Sequence, residues 1–283
     1  MFLTPKQAGG DYAAGCHGVP HGKGLRAMSR EWNAALYDQH HRFVADLARD
    51  MVAELAPQKG ERVLDLGCGS GRMTEWLLEA GAQVLGIDPD PKMVEAARAR
   101  CPSAEIQRLD ARDLGDIRVD SVISNATLHW IPEAEKVVSE LARVLNASRA
   151  RPAYTGRVVA EFGGHGNIAT LREAVAQALS RRGKSVDWSK RWYFPRLGEY
   201  TSLLERHGFE VSEARWWARP TKLEDGAAGL RNWVQMFLSE LVAEHASDDF
   251  YAEVDDFCRP TLWHSDHWQL DYVRLRVHAR LSD

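Results

Sequence analysis

The chain has 283 residues, 45% of them hydrophobic and 27% charged, with Lys plus Arg at 36 against Asp plus Glu at 40. It is long enough for one sizeable core, and its net charge of -4 lacks the basic excess of a nucleic-acid binder. No run approaches the ~18 apolar residues of a membrane span, and no His or Cys group has metal-ligand spacing. No nucleic-acid, membrane or metal partner is therefore expected.

Residues 1–27 are dominated by glycine and small polar residues, without the apolar centre of a signal peptide. They read as a disordered leader. The rest, 28–283, reads as a single domain. Cys16, Cys68, Cys101 and Cys258 form no C-x-x-C pair. They are expected to be reduced, in a cytoplasmic protein. From Trp32, apolar residues recur at helical spacing through Leu36, Phe43, Leu47, Met51 and Leu55, until Pro57 and Gly60 intervene. This predicts lid helices within 28–60.

"RVLDLG" then reads as a buried strand, "RMTEWLLEAG" as an amphipathic helix closed by Gly81, "QVLGID" as a strand and "PKMVEAARARC" as a helix with Pro91 in its first turn. Further strands are expected in "AEIQRLD", "VDSVISN" and "RVVAEFGG", with a helix at "EAEKVVSELARVL" before the last of these. Alternating strands and helices predict an α/β doubly wound, mostly parallel sheet. Its ligand lies beyond the carboxyl ends of the strands, which places Gly67 to Gly71, Asp88, Asp110 and Asn125 at the site. Beyond Gly164 the spacing predicts helices at 168–181, 197–207 and 229–242, and strands at "FEVSEARWWARP" and "DYVRLRVHARL". A helical cap is expected after the fifth strand, so that 61–164 forms the cofactor half and 165–283 the cap and last strands. The run 146–155 reads as a surface insertion, and the basic run Arg181 to Arg191 as a solvated helix end and loop.

The loop "GCGSG" separates three kinds of ligand. A triphosphate loop needs Lys-Ser/Thr after its last glycine, which is absent here. A dinucleotide loop wants its third glycine one position later than Gly71. Asp88 closes the second strand at a spacing that suits a ribose, and a ligand without phosphate would need only the close backbone approach that glycines permit.

"VLDLGCGSG", "GIDPD", "RLDARDL" and "DSVISNATLHWIPE" together resemble the four motifs of class I S-adenosylmethionine-dependent methyltransferases, in order, across Gly60 to Gly164. "EWNAALYDQHHRFV", "VVAEFGGHGN" and "EYTSLLERHGFEV" are similar to the trans-aconitate methyltransferase-like subfamily. The resemblance implies a Rossmann-like seven-stranded fold and S-adenosylmethionine as cofactor, with S-adenosylhomocysteine as product. It implies methyl transfer to a small molecule, a carboxylate or other oxygen first. Amine, carbon, RNA or protein acceptors are the alternative, and a nicotinamide-dependent oxidoreductase stands behind them.

By the same resemblance Gly67, Cys68, Gly69 and Gly71 pass under the ligand, and Asp65 orients its amino end. Asp88 takes the ribose hydroxyls, Asp110 and the Ala111 amide meet the adenine, Asn125 lies where the methionine part and the methyl face are, and Trp130 packs on the cofactor or the substrate. His129 is the candidate base or hydrogen-bond partner of the acceptor. Tyr37 and His41 project from the lid helix, and His165 follows the fifth strand. Trp216, Trp217 and "NWVQMF" either line an apolar pocket or fill the core.

Overall fold

The computed structural model describes residues 49–146 and 156–282. Tyr37, His41, the leader and the stretch 147–155 lie outside them. Helix α1 (Arg49–Leu55) leads into β1 (Arg62–Leu66), α2 (Arg72–Glu79), β2 (Gln83–Asp88), α3 (Pro91–Arg100) and β3 (Glu105–Arg108). Then come β4 (Ser121–Asn125), α4 (Ala134–Asn146), β5 (Arg157–Gly163), α5 (Ala169–Ser180), α6 (Leu197–Arg206) and β6 (Phe209–Ala218). The remainder is β7 (Thr221–Lys222), α7 (Gly229–Val242), α8 (Asp248–Leu262), β8 (Trp263–His264), β9 (His267–Leu270) and β10 (Val273–Leu281).

Seven strands form one sheet in the order β3-β2-β1-β4-β5-β10-β6. The first five are parallel, and β10 runs antiparallel to both neighbours. The strand order reverses between β1 and β4, and a crevice opens at the carboxyl ends of such a pair. Both faces of the sheet are covered, which is why its central strands read as unbroken apolar runs. Side chains alternate across it. Val63, Ile123 and Val159 pack with Met51, Leu55, Trp76 and Leu77 on one face. Leu64, Leu66, Val122 and Phe162 pack with Val138, Leu141, Tyr200 and Leu203 on the other. Local chemistry sets the helix starts. Asp90 caps α3 by accepting from the amides of Lys92 and Met93 at 2.8 and 3.1 Å, with Pro91 at its first position.

Glu161 on β5 and Arg276 on β10 are both buried and stand directly opposite in the ladder. Arg276 donates through Nε to Glu161 Oε2 at 2.8 Å, and through Nη1 to Asp50 and Glu54 of α1 at 2.8 and 2.7 Å. Arg219 Nη1 lies 2.8 Å from the other oxygen of Glu161. The network ties α1 to the sheet.

The cap has a core of its own and two chain segments build it. The stretch between β5 and β6 supplies Leu171, Val175 and Trp192, and the stretch between β6 and β10 supplies Trp233, Phe237, Phe250 and Trp268. Helix α8 is absent from the sequence reading. Its stripe of Phe250, Tyr251, Val254, Cys258 and Leu262, and its Ser247 cap, were legible, but Pro260 argues against a helix there. The basic run is not a free patch: Arg181 and Arg182 pair with Glu253, and Lys184 with Glu244. Among the described residues no helix is long and apolar enough to cross a membrane.

Candidate active site

The chain turns sharply after β1. The amides of Gly67 and Cys68 both donate to Ile87 O at 2.9 Å, so the loop is pinned across the end of β2. Gly67, Gly69 and Gly71 have φ of 75°, 53° and 86°, the left-handed region that glycine enters without strain. Their surroundings differ. A Cβ on Gly67 would lie 2.1 Å from Thr127 Oγ1, and one on Gly71 3.1 Å from the Ala97 backbone, whereas one on Gly69 would meet nothing within 4 Å. Gly67 and Gly71 are thus required by packing inside the protein. Gly69 faces open space on the strand-end side, where a ligand can lie on the backbone. Thr127, whose hydroxyl donates to Gly67 O at 3.3 Å and Asn125 O at 3.1 Å, joins the loops after β1 and β4. Sequence reasoning missed it.

Two carboxyls flank this loop. Asp88 accepts from the Gly69 amide at 3.1 Å and the Asp90 amide at 2.9 Å. Burial pushes it up to about 6, against the lowering pull of those two amides. Asp65 is buried beneath and accepts from Thr74 Oγ1 at 2.6 Å. Burial pushes it up to about 7, with the nearby charge of Asp88 adding to the rise and the Thr74 bond opposing it. Thr74, on the first turn of α2, is a second residue that the motif did not announce. Cys68 is buried, and its thiol is pushed far up by desolvation.

Asp110 lies beyond β3 with its carboxylate clamped by Arg112, whose Nε and Nη2 donate to its two oxygens at 2.9 and 2.6 Å. The Arg112 hydrogen bonds hold the Asp110 carboxyl below its usual range. It is an ionised acceptor shared with a guanidinium. Ala111 is buried in the main core. Asn125 ends β4, opposite Glu161 in the ladder.

His129 and Trp130 belong to a short 3₁₀ turn after β4. His129 is buried, and its Nδ1 accepts the Gly163 amide at 3.2 Å. In the neutral ring that leaves the proton on Nε2. Of the two roles expected of His129, base or hydrogen-bond partner, this contact favours the second in the neutral ring. The Trp130 ring lies 5.5 Å from Trp192 and 6.1 Å from Phe237, both of the cap. It packs against the cap cluster.

His165 is exposed, and its carbonyl accepts from Trp216 Nε1 at 3.1 Å at the outer strand β6. Trp217 stacks with Arg215, Arg219 and Arg276. Neither tryptophan joins the cap cluster. Trp233 and Phe237, from the other aromatic run, do. Among the described residues no group of His, Cys, Asp or Glu is arranged to hold a metal.

Residues 64–148 match the family described as a methyltransferase domain. Over 268 residues the chain is 31% identical to an uncharacterized methyltransferase of Schizosaccharomyces pombe, covering 88% of this chain and 97% of the relative. It is 34% identical over 200 residues to trans-aconitate 2-methyltransferase of Methylobacterium nodulans, covering 62% of this chain and 77% of the relative. Its fold is shared with the YcgJ protein of Bacillus subtilis, at TM-score 0.56 and 18% identity, covering 86% of this chain and 100% of the other.

Proposed function

The chain belongs to the class I S-adenosylmethionine-dependent methyltransferases, and from that premise we propose that it methylates an oxygen of a small carboxylic acid. The cofactor is S-adenosylmethionine, and the residues present fit it. The open backbone at Gly69 admits a ligand at close range, and Asp88 beside it is an acceptor for two ribose hydroxyls. Asp65, Asn125 and the loop after β1 would hold the methionine part, and Asp110 with the Ala111 amide the adenine. When bound, the cofactor supplies a methyl group on a cationic sulfur, open to in-line displacement.

The observation that carries the acceptor reading is the Gly163–His129 bond. With Nδ1 occupied, His129 can donate to an acceptor oxygen but removes no proton from it in that tautomer. A carboxylate needs no base, because it is already a nucleophile at neutral pH. The likeness to trans-aconitate 2-methyltransferases supports the same class. The work of the protein is then to align the carboxylate with the methyl and to keep water out under the cap.

Two measurements test this. Calorimetric titration with S-adenosylhomocysteine should give micromolar binding that Asp88→Ala abolishes, with no binding of NAD. Incubation with labelled S-adenosylmethionine and a panel of small carboxylic acids should yield labelled esters that mild alkali hydrolyses. Label found only in alkali-stable amine or carbon products would overturn the carboxylate reading and leave the cofactor assignment standing.

A further inference from the structure

Asp88 closes β2, and Asp110 follows the neighbouring strand β3. The backbone ties the two strand ends together. Arg108 stands opposite Asp88 in the ladder, and the Leu109 amide donates to Asp88 O at 3.2 Å. With the methionine part at β1 and β4 and the ribose at Asp88, the strand order β3-β2-β1-β4 leaves the base on the β3 side.

One residue supplies every hydrogen bond that the Asp110 carboxylate receives among the described residues. Its Oδ1 accepts from the Arg112 amide and from Arg112 Nε, both at 2.9 Å. Its Oδ2 accepts from Arg112 Nη2 at 2.6 Å. A carboxylate has about four acceptor positions, shared equally between its oxygens. Oδ1 is therefore full, and Oδ2 keeps one position. Arg112 is itself fixed, because its Nη1 donates at 2.9 Å to Glu133 Oε1, just before α4. The pair is open to a ligand, with the Asp110 and Arg112 side chains 39% and 34% exposed. An ion pair so exposed contributes little to stability. What a bidentate fork does provide is direction.

We propose that Arg112 is a positioning residue that makes the cofactor site select a 6-amino purine. It acts through Asp110, turning the carboxylate so that the remaining position on Oδ2 meets one N–H of the exocyclic amine. A 6-oxo purine presents an oxygen there, and two acceptors face each other with no proton between them. The assignment rests on the methyltransferase reading and adds the residue that sets base selectivity. Without the clamp the carboxylate turns freely, and the cost of aligning it falls on binding.

The test is calorimetric titration of the full chain with S-adenosylhomocysteine and with its 6-oxo analogue, S-inosylhomocysteine. Wild type should bind the adenosyl compound at least about tenfold tighter, the size of one hydrogen bond to a charged group. Arg112→Gln should cut that ratio below about threefold by weakening S-adenosylhomocysteine, while the 6-oxo compound shifts by no more than about twofold. Arg112→Lys, a point charge in place of a fork, should lie between. In an Asp110→Asn background Arg112→Gln should leave the ratio unchanged, because Arg112 acts through that carboxylate. A merely structural role would instead weaken both compounds alike and lower the melting temperature without ligand. Equal weakening of both compounds by Arg112→Gln, or no preference in wild type, overturns the assignment. Binding of neither compound by wild type would sink the cofactor reading along with it.

Discussion

The amide of Gly163, at the end of β5, donates to Nδ1 of His129, in the turn after β4, at 3.2 Å. One hydrogen bond thereby joins two adjacent strand ends and selects the tautomer of a buried imidazole. A residue used as a donor should be replaceable by another donor. His129→Asn is expected to retain a substantial share of kcat/KM for the acceptor, whereas His129→Phe loses 10- to 100-fold. Affinity for S-adenosylhomocysteine should stay within about twofold in both, the losses being of the size seen for a single polar contact. Equal inactivation of the two variants would point to a base instead.

Gly67 and Gly69 separate structural from ligand-facing glycine. Gly67→Ala drives a methyl into Thr127 and should lower stability by about 2–4 kcal/mol. Gly69→Ala meets no protein atom and should cost only the ~1 kcal/mol of a left-handed alanine. It should nonetheless weaken S-adenosylhomocysteine more than tenfold. Urea denaturation beside calorimetry distinguishes the two patterns.

Asp88, raised to about 6 by burial, must be ionised to accept from ribose hydroxyls. S-adenosylhomocysteine affinity should therefore be flat above about pH 7 and fall by roughly tenfold per unit below about pH 6. In Asp88→Asn it should be weak, without that inflection.

Asp65, raised in the same direction by burial, bears on folding. Its carboxyl is raised from 3.8 to about 7, so the folded state favours the proton. The stability this provides is complete below pH 3.8 and is lost as pH rises through about 7. Asp65→Asn, which does not titrate, should match wild type near pH 4 and exceed it by about 2–4 kcal/mol at pH 8. The same variant should bind cofactor poorly. Thermal melts across that range would show it, and a variant less stable than wild type at pH 8 would contradict the burial argument.

Glu161 is buried among the cations Arg219, Arg274 and Arg276. Removing its charge strands them, at a cost of about 3–5 kcal/mol for a broken buried pair. Glu161→Gln should lower Tm by on the order of 10 °C. It should also loosen α1, read as faster amide exchange over residues 50–55.

The sheet and the cofactor loop were legible because their causes are local. Apolar runs of strand length, helical spacing and glycines at a turn follow from residues near one another in the chain, and Asp88 stands 19 residues from the Gly69 amide it accepts, at the end of the next strand. Pairs far apart left no such pattern. Thr127 meets Gly67 across 60 residues and Gly163 meets His129 across 34. Whether His129 was base or donor, and that Trp130 faces the cap, depended on which backbone groups the folded sheet brought beside them. The cap was half visible, since its second segment includes a helix masked by Pro260 and its aromatic cluster draws on both insertions. Arg172 was legible as a cation in the first turn of a helix. Only packing decided that its Nε would be buried with no hydrogen-bond partner among the described residues, because burial is a property of the assembled interior and not of the chain.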